Sequence, residues 1–182
     1  IGGVPDALTQ INFENLTASG IGSSVTVTGS DGANIIIGST GNDTLDGGAG
    51  NDTLNGGSGN DTFFFGLGDG QDLVQDNSGS ADKILFDSGI NPLDLVISRQ
   101  VNDLRIAIHG TSDQITVQNW YTSSANRTEV IQAGNGDTLS STQVNQLIQA
   151  MAGFTQQTGL TWDQAIDQQP QAVQTILAAS WQ

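Results

Sequence analysis

Residues 38–64 read GSTGNDTLD-GGAGNDTLN-GGSGNDTFF, so one nine-residue unit occurs three times in succession. Each unit has six turn-forming residues, rich in glycine at positions 1, 2 and 4, followed by three residues typical of a strand. Every unit also has an aspartate at position 6 and a large apolar residue at position 8: Asp43, Asp52 and Asp61, then Leu45, Leu54 and Phe63. This fixed period predicts a solenoid, since a flexible glycine-rich linker would not keep such offsets.

Degenerate units flank the three strict ones. Residues 29–37, GSDGANIII, keep the glycines at positions 1 and 4, but Asn34 replaces the aspartate and removes one charge. Residues 65–72, FGLGDGQD, depart from the register, so Asp69 and Asp72 are both candidate ligands. At position 5 the strict units have asparagine, which we expect to be there because it tolerates a left-handed backbone.

Nine residues per half-turn imply two units per coil, so each turn would stack on the turn two units later. We therefore expect loop 29–34 to lie on loop 47–52, and loop 38–43 on loop 56–61. Loop 47–52 would lie in turn on the loop that contains Asp69 and Asp72. The partner of loop 56–61 would contribute Asp76 or Asp82.

The turns offer oxygen atoms to a metal ion, from backbone carbonyls and from the position 6 carboxylates. Oxygen-only ligation suits a hard cation, and calcium tolerates irregular geometry better than magnesium does. We therefore predict about three or more Ca²⁺ ions. The candidate ligands are Asn34, Gly38, Thr40, Asn42, Asp43, Gly47, Gly48, Ala49, Gly50, Asn51, Asp52, Gly56, Gly57, Ser58, Gly59, Asn60, Asp61, Gly66, Gly68, Asp69, Asp72 and Asp82.

The charge of the chain supports a cationic ligand. There are 19 acidic residues against four Lys and Arg, and the net charge is -15. Residues 28–77 contain eight aspartates and neither lysine nor arginine. Carboxylates held together without a basic partner repel one another, so a divalent cation is the natural counter-ion. The same charge argues against nucleic acid and anionic membranes as partners, and no stretch predicts membrane insertion.

Beyond residue 80 the sequence alternates in the manner of strands. KILF, DLVIS, LRIAI and QITV are apolar at every second position, and VNDL between two of them indicates a hairpin turn. The dipeptide Asn135-Gly136 predicts a second tight turn. We expect Trp120 to belong to the core of this segment, because aromatic side chains mostly serve packing.

From residue 140 the pattern becomes helical. Ser140 with Gln143, and Thr161 with Gln164, form the capping pattern that precedes a helix. Pro170 suits the first turn of a third helix. The apolar faces of the first and third helices follow at helical spacing: Val144, Leu147, Ile148 and Met151, then Val173, Ile176, Leu177 and Trp181.

The nonapeptides resemble the RTX calcium-binding repeats of haemolysin-type proteins, in which the pattern GGxGxDxUx has a large apolar residue at U. The phrases ADKILF, DLVISR, NDLRIAI, DQITVQNWY and RTEVIQAGNGDTL resemble the domain that follows such repeats. The tail, which ends in LAASWQ, is similar to the C-terminal export signal of type I secretion substrates. A helical appendage packed on the preceding domain is an equally good description, and both can hold at different times.

The resemblance implies a mainly β fold: a parallel β-roll followed by a β-rich capping region and short C-terminal helices. The expected division is 1–28 for strands leading into the roll, 29–80 for the roll, 81–139 for the cap and 140–182 for the tail. It also implies a calcium-binding module of a larger secreted bacterial protein. Calcium outside the cell would fold this module and complete type I export.

Catalytic motifs such as HExxH, GxSxG and GxxxxGK[ST] are missing from the sequence, so we do not expect an enzyme. His109 is the single histidine, and we expect it to be solvated and structural. The alternative function is an adhesive or carbohydrate-binding module of a surface adhesin with calcium as scaffold. In that case exposed Trp162 and Tyr121 would contact the surface ligand, whereas buried aromatics would favour the folding and export role.

Overall fold

The computed structural model describes residues 8–11 and 14–182 of the chain. Within these residues strands are the commonest regular elements, and three α-helices follow them at the C-terminal end. The strands are β1 Leu8–Ile11, β2 Asn15–Thr17, β3 Val25–Thr28, β4 Ile35–Ile37, β5 Thr44–Asp46, β6 Thr53–Asn55, β7 Thr62–Phe65, β8 Gln71–Val74, β9 Lys83–Phe86, β10 Leu95–Gln100, β11 Asp103–Ile108, β12 Gln114–Val117, β13 Val130–Gln132 and β14 Thr138–Ser140. The helices are α1 Ser141–Thr158, α2 Trp162–Gln168 and α3 Pro170–Ala178.

The nonapeptides form a parallel roll with two strands per coil. Odd-numbered strands stack as β1-β3-β5-β7-β9 in one sheet, and even-numbered strands stack as β2-β4-β6-β8 in the other. The register is set by the repeat, since Leu45 pairs with Phe63 and Ile36 with Leu54. These position 8 side chains are fully buried between the sheets. The predicted solenoid with two units per coil is therefore confirmed.

Both sheets of the roll continue into the segment that follows it. β13 pairs in parallel with β9, and β12 pairs in parallel with β8. Antiparallel hairpins then complete each sheet, with β10, β11 and β12 on one side and β13 and β14 on the other. The predicted turns are present: Val101 has φ 56° between β10 and β11, and Gly136 has φ 95° between β13 and β14. The predicted division of the chain at residue 80 stays a prediction, because the sheets cross it.

The three helices pack against the β-rich segment. Ser140 and Thr161 are the N-caps of α1 and α2, with Gln143 and Gln164 as their capping partners, and Pro170 begins α3. The helices bury Val144, Leu147, Met151, Trp162, Ala165, Ile166, Val173 and Leu177 in the core that they share with the sheets. Gln182 and Thr138 of β14 exchange two backbone hydrogen bonds, each N–H donating to the carbonyl of the other residue. The expected mainly β class, with a β-roll and C-terminal helices, is confirmed.

Strands also precede the repeats, as predicted for residues 1–28. β1 pairs with β3, β2 pairs with β4, and β3 pairs with β5, all in parallel, so the roll begins before the first strict unit. The parts of this prediction that concern residues 1–7 and 12–13 lie outside the described residues.

Candidate metal sites

The turns stack in two columns, one at each edge of the roll. Within a column, the carboxylate at position 6 accepts a hydrogen bond from the backbone N–H of the position 6 residue one coil earlier. In one column Asn34 donates to Asp52 (2.7 Å) and Asp52 donates to Asp72 (2.9 Å). In the other, the bonds are Val25 to Asp43 (2.7 Å), Asp43 to Asp61 (2.8 Å) and Asp61 to Asp82 (2.9 Å). The predicted stacking of the loops is confirmed.

The stacking shows which aspartates take position 6 in the two irregular turns, and the choice of calcium ligands among Asp69, Asp72, Asp76 and Asp82 stays a prediction. Asp72 takes position 6 of its loop, because its carboxylate receives the N–H of Asp52. Asp82 takes position 6 of the loop that lies on loop 56–61, because its carboxylate accepts a hydrogen bond from the N–H of Asp61. Asp69 instead accepts from the N–H of Gly66 at 2.5 Å within its own turn.

Four of these buried carboxylates each have an oxygen atom without any hydrogen-bond donor. The atoms are the Oδ2 of Asp52, Asp61, Asp72 and Asp76. None of the four side chains is more than 5% exposed. An ionised oxygen withdrawn from water without a partner is strongly destabilising, so such an atom calls for a cation.

The pKa values of these carboxylates are raised by burial and by neighbouring negative charge. Burial is the largest cause and raises the pKa of Asp52 and Asp61 to about 6, of Asp76 to about 7 and of Asp72 to about 8. Neighbouring aspartates raise these pKa values further. Throughout residues 14–182, the ion pairs within 4.0 Å involve His109 and no lysine or arginine. The donor set of carboxylate and carbonyl oxygens therefore fits calcium.

The position 6 residues Asn34 and Asp43 have different surroundings. Both Asp43 oxygens accept hydrogen bonds, from the N–H and hydroxyl of Ser39 and from the N–H of Val25. The amide oxygen of Asn34 accepts from the N–H of Ser30 at 2.7 Å. Their proposed role as calcium ligands stays a prediction, and it has less support than the role of Asp52 or Asp61.

Glycine is required at two positions of the later turns. Gly48 and Gly50 have φ 78° and 144°, and Gly57 and Gly59 have φ 92° and 120°. These left-handed conformations favour glycine. The remaining candidate ligands lie in the same stacked turns: Gly38, Thr40, Asn42, Gly47, Ala49, Asn51, Gly56, Ser58, Asn60, Gly66 and Gly68.

The reason predicted for asparagine at position 5 is wrong. Among the described residues other than glycine, positive φ values occur at Val101 and Asn119, so the position 5 asparagines are not left-handed. Their side-chain oxygens bind the next coil instead. Asn42 accepts from the N–H of Asn60 at 2.8 Å, and Asn51 accepts from the N–H of Gln71 at 2.9 Å. Asparagine is therefore selected here as a hydrogen-bond acceptor between coils.

The capping segment contributes acidic side chains that the sequence did not indicate. Asp113 accepts from the N–H groups of Gly68 (2.8 Å) and Gly70 (3.3 Å). Glu129 accepts from the N–H of Asp82 at 2.9 Å and so continues the column that runs through Asp43 and Asp61. The nonapeptide spacing could not reveal either residue, because each lies more than 40 residues later in the chain, immediately before β12 or β13.

The aromatic side chains of the cap and the tail are mostly enclosed. Trp120 is 1% exposed, which confirms its predicted place in the core. The adhesive alternative called for an exposed Trp162, but α2 turns this side chain inward to 6% exposure, where it packs edge-to-face on Phe154. Tyr121 is half-buried beneath the guanidinium group of Arg99, which lies 4.1 Å from its ring centroid.

No helix within the described residues combines the length and apolar character needed to cross a membrane. Residues 28–63 match the family model of the RTX calcium-binding nonapeptide repeat, in four copies. Residues 103–143 match that of the haemolysin-type calcium binding protein related domain. RTX repeats bind calcium, form a structural and non-enzymatic family, and typically occur in secreted proteins. This chain thus contains an array of RTX calcium-binding repeats followed by a haemolysin-type calcium-binding related domain, which together imply a calcium-binding module of a secreted protein.

Proposed function

We propose that calcium binds between the stacked turns of residues 29–82 and that its binding drives folding of the roll. The observation that carries this proposal is the set of buried, unpartnered carboxylate oxygens on Asp52, Asp61, Asp72 and Asp76. Without cations these groups oppose folding by desolvation and mutual repulsion. With calcium the same groups become favourable, because the folded turns hold oxygen atoms that the unfolded chain does not bring together.

Circular dichroism tests this proposal. In chelator the full chain should lack most of its β-structure, and calcium in the submillimolar to millimolar range should restore it. Each ion present at about ten times its dissociation constant adds about 1.4 kcal/mol to the free energy of unfolding. Magnesium at the same concentrations is the control and should not substitute, since it requires stricter octahedral geometry. A chain that is fully folded and unfolds cooperatively in chelator would contradict the proposal.

We further propose that this calcium dependence serves type I export. Dissociation constants on the order of 10⁻⁴–10⁻³ M would leave the roll unfolded at cytosolic calcium and folded outside the cell. The tail would be read by the exporter while unfolded and would dock on the cap afterwards. The amphipathic and nearly uncharged sequence of residues 140–182 supports this order of events.

The adhesive alternative has no specific support among the described residues. It called for exposed Trp162 and Tyr121, whereas Trp162 is buried and Tyr121 is half-buried beneath Arg99. We therefore do not propose a surface ligand.

A further inference from the structure

The turn of residues 76–82 differs from the strict repeats at its first position. Elsewhere in this column position 1 is glycine, at Gly38 and Gly56, and an added Cβ at either would overlap the carboxylate of its own turn. At the corresponding place below Gly56 the chain has Asp76. A third acidic side chain therefore enters a turn pair in which the repeat itself supplies two.

The three carboxylates converge. One oxygen from each of Asp61, Asp76 and Asp82 lies within 4.8 Å of the others, and residues 14–182 contain no other such group of three. All three side chains are at most 5% exposed. The Oδ1 atoms are occupied by backbone N–H groups of Asp43, Asn77 and Asp61, whereas the Oδ2 atoms of Asp61 and Asp76 have no partner.

Among residues 14–182, no basic group lies within 4.0 Å of these three carboxylates. Lys83 follows Asp82 in the chain, but its ammonium group lies 3.0 Å from the side-chain oxygen of Gln132. The other acidic neighbour, Glu129, adds negative charge and accepts the N–H of Asp82. The cluster also lies where the roll meets the cap. Strand β9, the last of its sheet in the roll, begins at residue 83 and pairs with β13 of the cap.

We infer that Asp61, Asp76 and Asp82 form a three-carboxylate calcium site at this junction, which binds more tightly than the other turns and fills first. This inference rests on the proposed function. It adds two ligands from outside the two matched segments, since Asp76 and Asp82 lie between residues 63 and 103. The affinity of an oxygen-ligand calcium site rises with the number of its carboxylates. Filling this site first would fix the cap on the last coil before the earlier coils close.

Calorimetric titration of the metal-free full chain tests the inference. Calcium should bind the wild type in two classes, with one ion in the tighter class. Asp76→Asn should weaken that class about tenfold or more. The matched control is Asp46→Asn, because Asp46 also accepts a nearby turn N–H through Oδ1 but lies outside the cluster. It should change the affinity of the tight class by less than about twofold.

The outcomes separate this inference from the proposed function. If the wild type binds no calcium, both fail. If it binds calcium but has no tighter class, or if Asp76→Asn and Asp46→Asn weaken that class equally, only the junction site is refuted. Terbium competition on the wild type is independent of how any variant folds. A site with three carboxylates should prefer the first equivalent of Tb³⁺ over calcium about tenfold or more, and equal binding would overturn the inference.

Discussion

At the scale of single residues, the position 6 aspartates Asp43 and Asp52 are equally buried but have different partners. The carboxylate of Asp43 accepts three hydrogen bonds, two of them from Ser39. Asp52 accepts from the N–H of Asn34 and leaves Oδ2 unpartnered. Both residues lie between two turns of their columns, so the free Oδ2 of Asp52 is the difference that bears on calcium binding.

We therefore predict that Asp52→Asn lowers calcium affinity more than Asp43→Asn does. The loss of a carboxylate ligand should weaken binding about tenfold at position 52 and less than about threefold at position 43. Asparagine keeps the size and the Oδ1 acceptor in both variants, which makes them a matched pair. Calorimetric titration of both variants decides the prediction, and equal losses would show that the hydrogen bonds of Asp43 do not limit its use as a ligand.

The sequence predicted the position 6 series because the repeat places these residues at fixed offsets. It could not choose between Asp69 and Asp72, since the unit that contains them has an irregular length. The sequence also did not predict that the hydroxyl of Ser39 donates to Asp43. Position 2 is glycine in the later turns, and only the folded turn brings this hydroxyl to the carboxylate.

At the scale of elements, helix α2 is held to the end of β11 by a paired contact. The two ring nitrogens of His109 each lie 3.0 Å from a carboxylate, one on Asp163 and one on Asp167. These aspartates are four residues apart and therefore share one face of the helix. Both contacts raise the pKa of His109, and the hydrogen bond that Asp163 accepts from the ring is the larger cause.

Because the pKa of His109 is raised in the folded chain, its contact with α2 should stabilise the fold more at low pH than at high pH. The contact stabilises the folded chain fully below the unfolded pKa of about 6.5, and this contribution is lost as pH rises through the higher folded value. Because the aspartates are exposed, the contribution should be about 0.5 kcal/mol. In saturating calcium, the melting temperature of the wild type should exceed that of His109→Gln at pH 6, and the difference should shrink by pH 8.5. A difference that is independent of pH would mean that His109 acts by packing alone.

Helix starts, turns and strands were predictable from the sequence where a few neighbouring residues determine them. The capping pairs at Ser140 and Thr161, the turn at Asn135-Gly136 and the alternation of Leu104, Ile106 and Ile108 each lie within a few residues of chain, and each has the predicted structure. The inward turn of Trp162 was not predictable, because it depends on Phe154 in the preceding helix and on the shared core.

At the scale of the whole molecule, the cap and the tail form one core with the roll. Trp162 and Trp181 are each 6% exposed, and the backbone of Gln182 pairs with Thr138 at the edge of β14. None of the candidate ligand residues lies in the helices. The tail should therefore influence stability strongly and calcium ligation little.

We predict that removal of residues 155–182 separates calcium binding, stability and export. The truncated chain should bind the same number of calcium ions, because its turns are intact. It should unfold at a lower temperature in saturating calcium, since burial of each tryptophan side chain accounts for about 3–5 kcal/mol. Calorimetric titration and thermal unfolding measure the two effects, and a lost calcium ion would show that the tail supports a turn directly.

The same truncation tests the export proposal in cells that carry a type I exporter. Truncated chains should stay inside the cell, because the exporter would lack the segment that it reads. The control is the double variant Trp162→Ala/Trp181→Ala, which weakens docking of the tail but keeps its length and most of its sequence. This control should still reach the medium, since the export proposal places folding after export. Release of the truncated chain would show that residues 155–182 are not the signal, and their function would then be to complete the core of the cap.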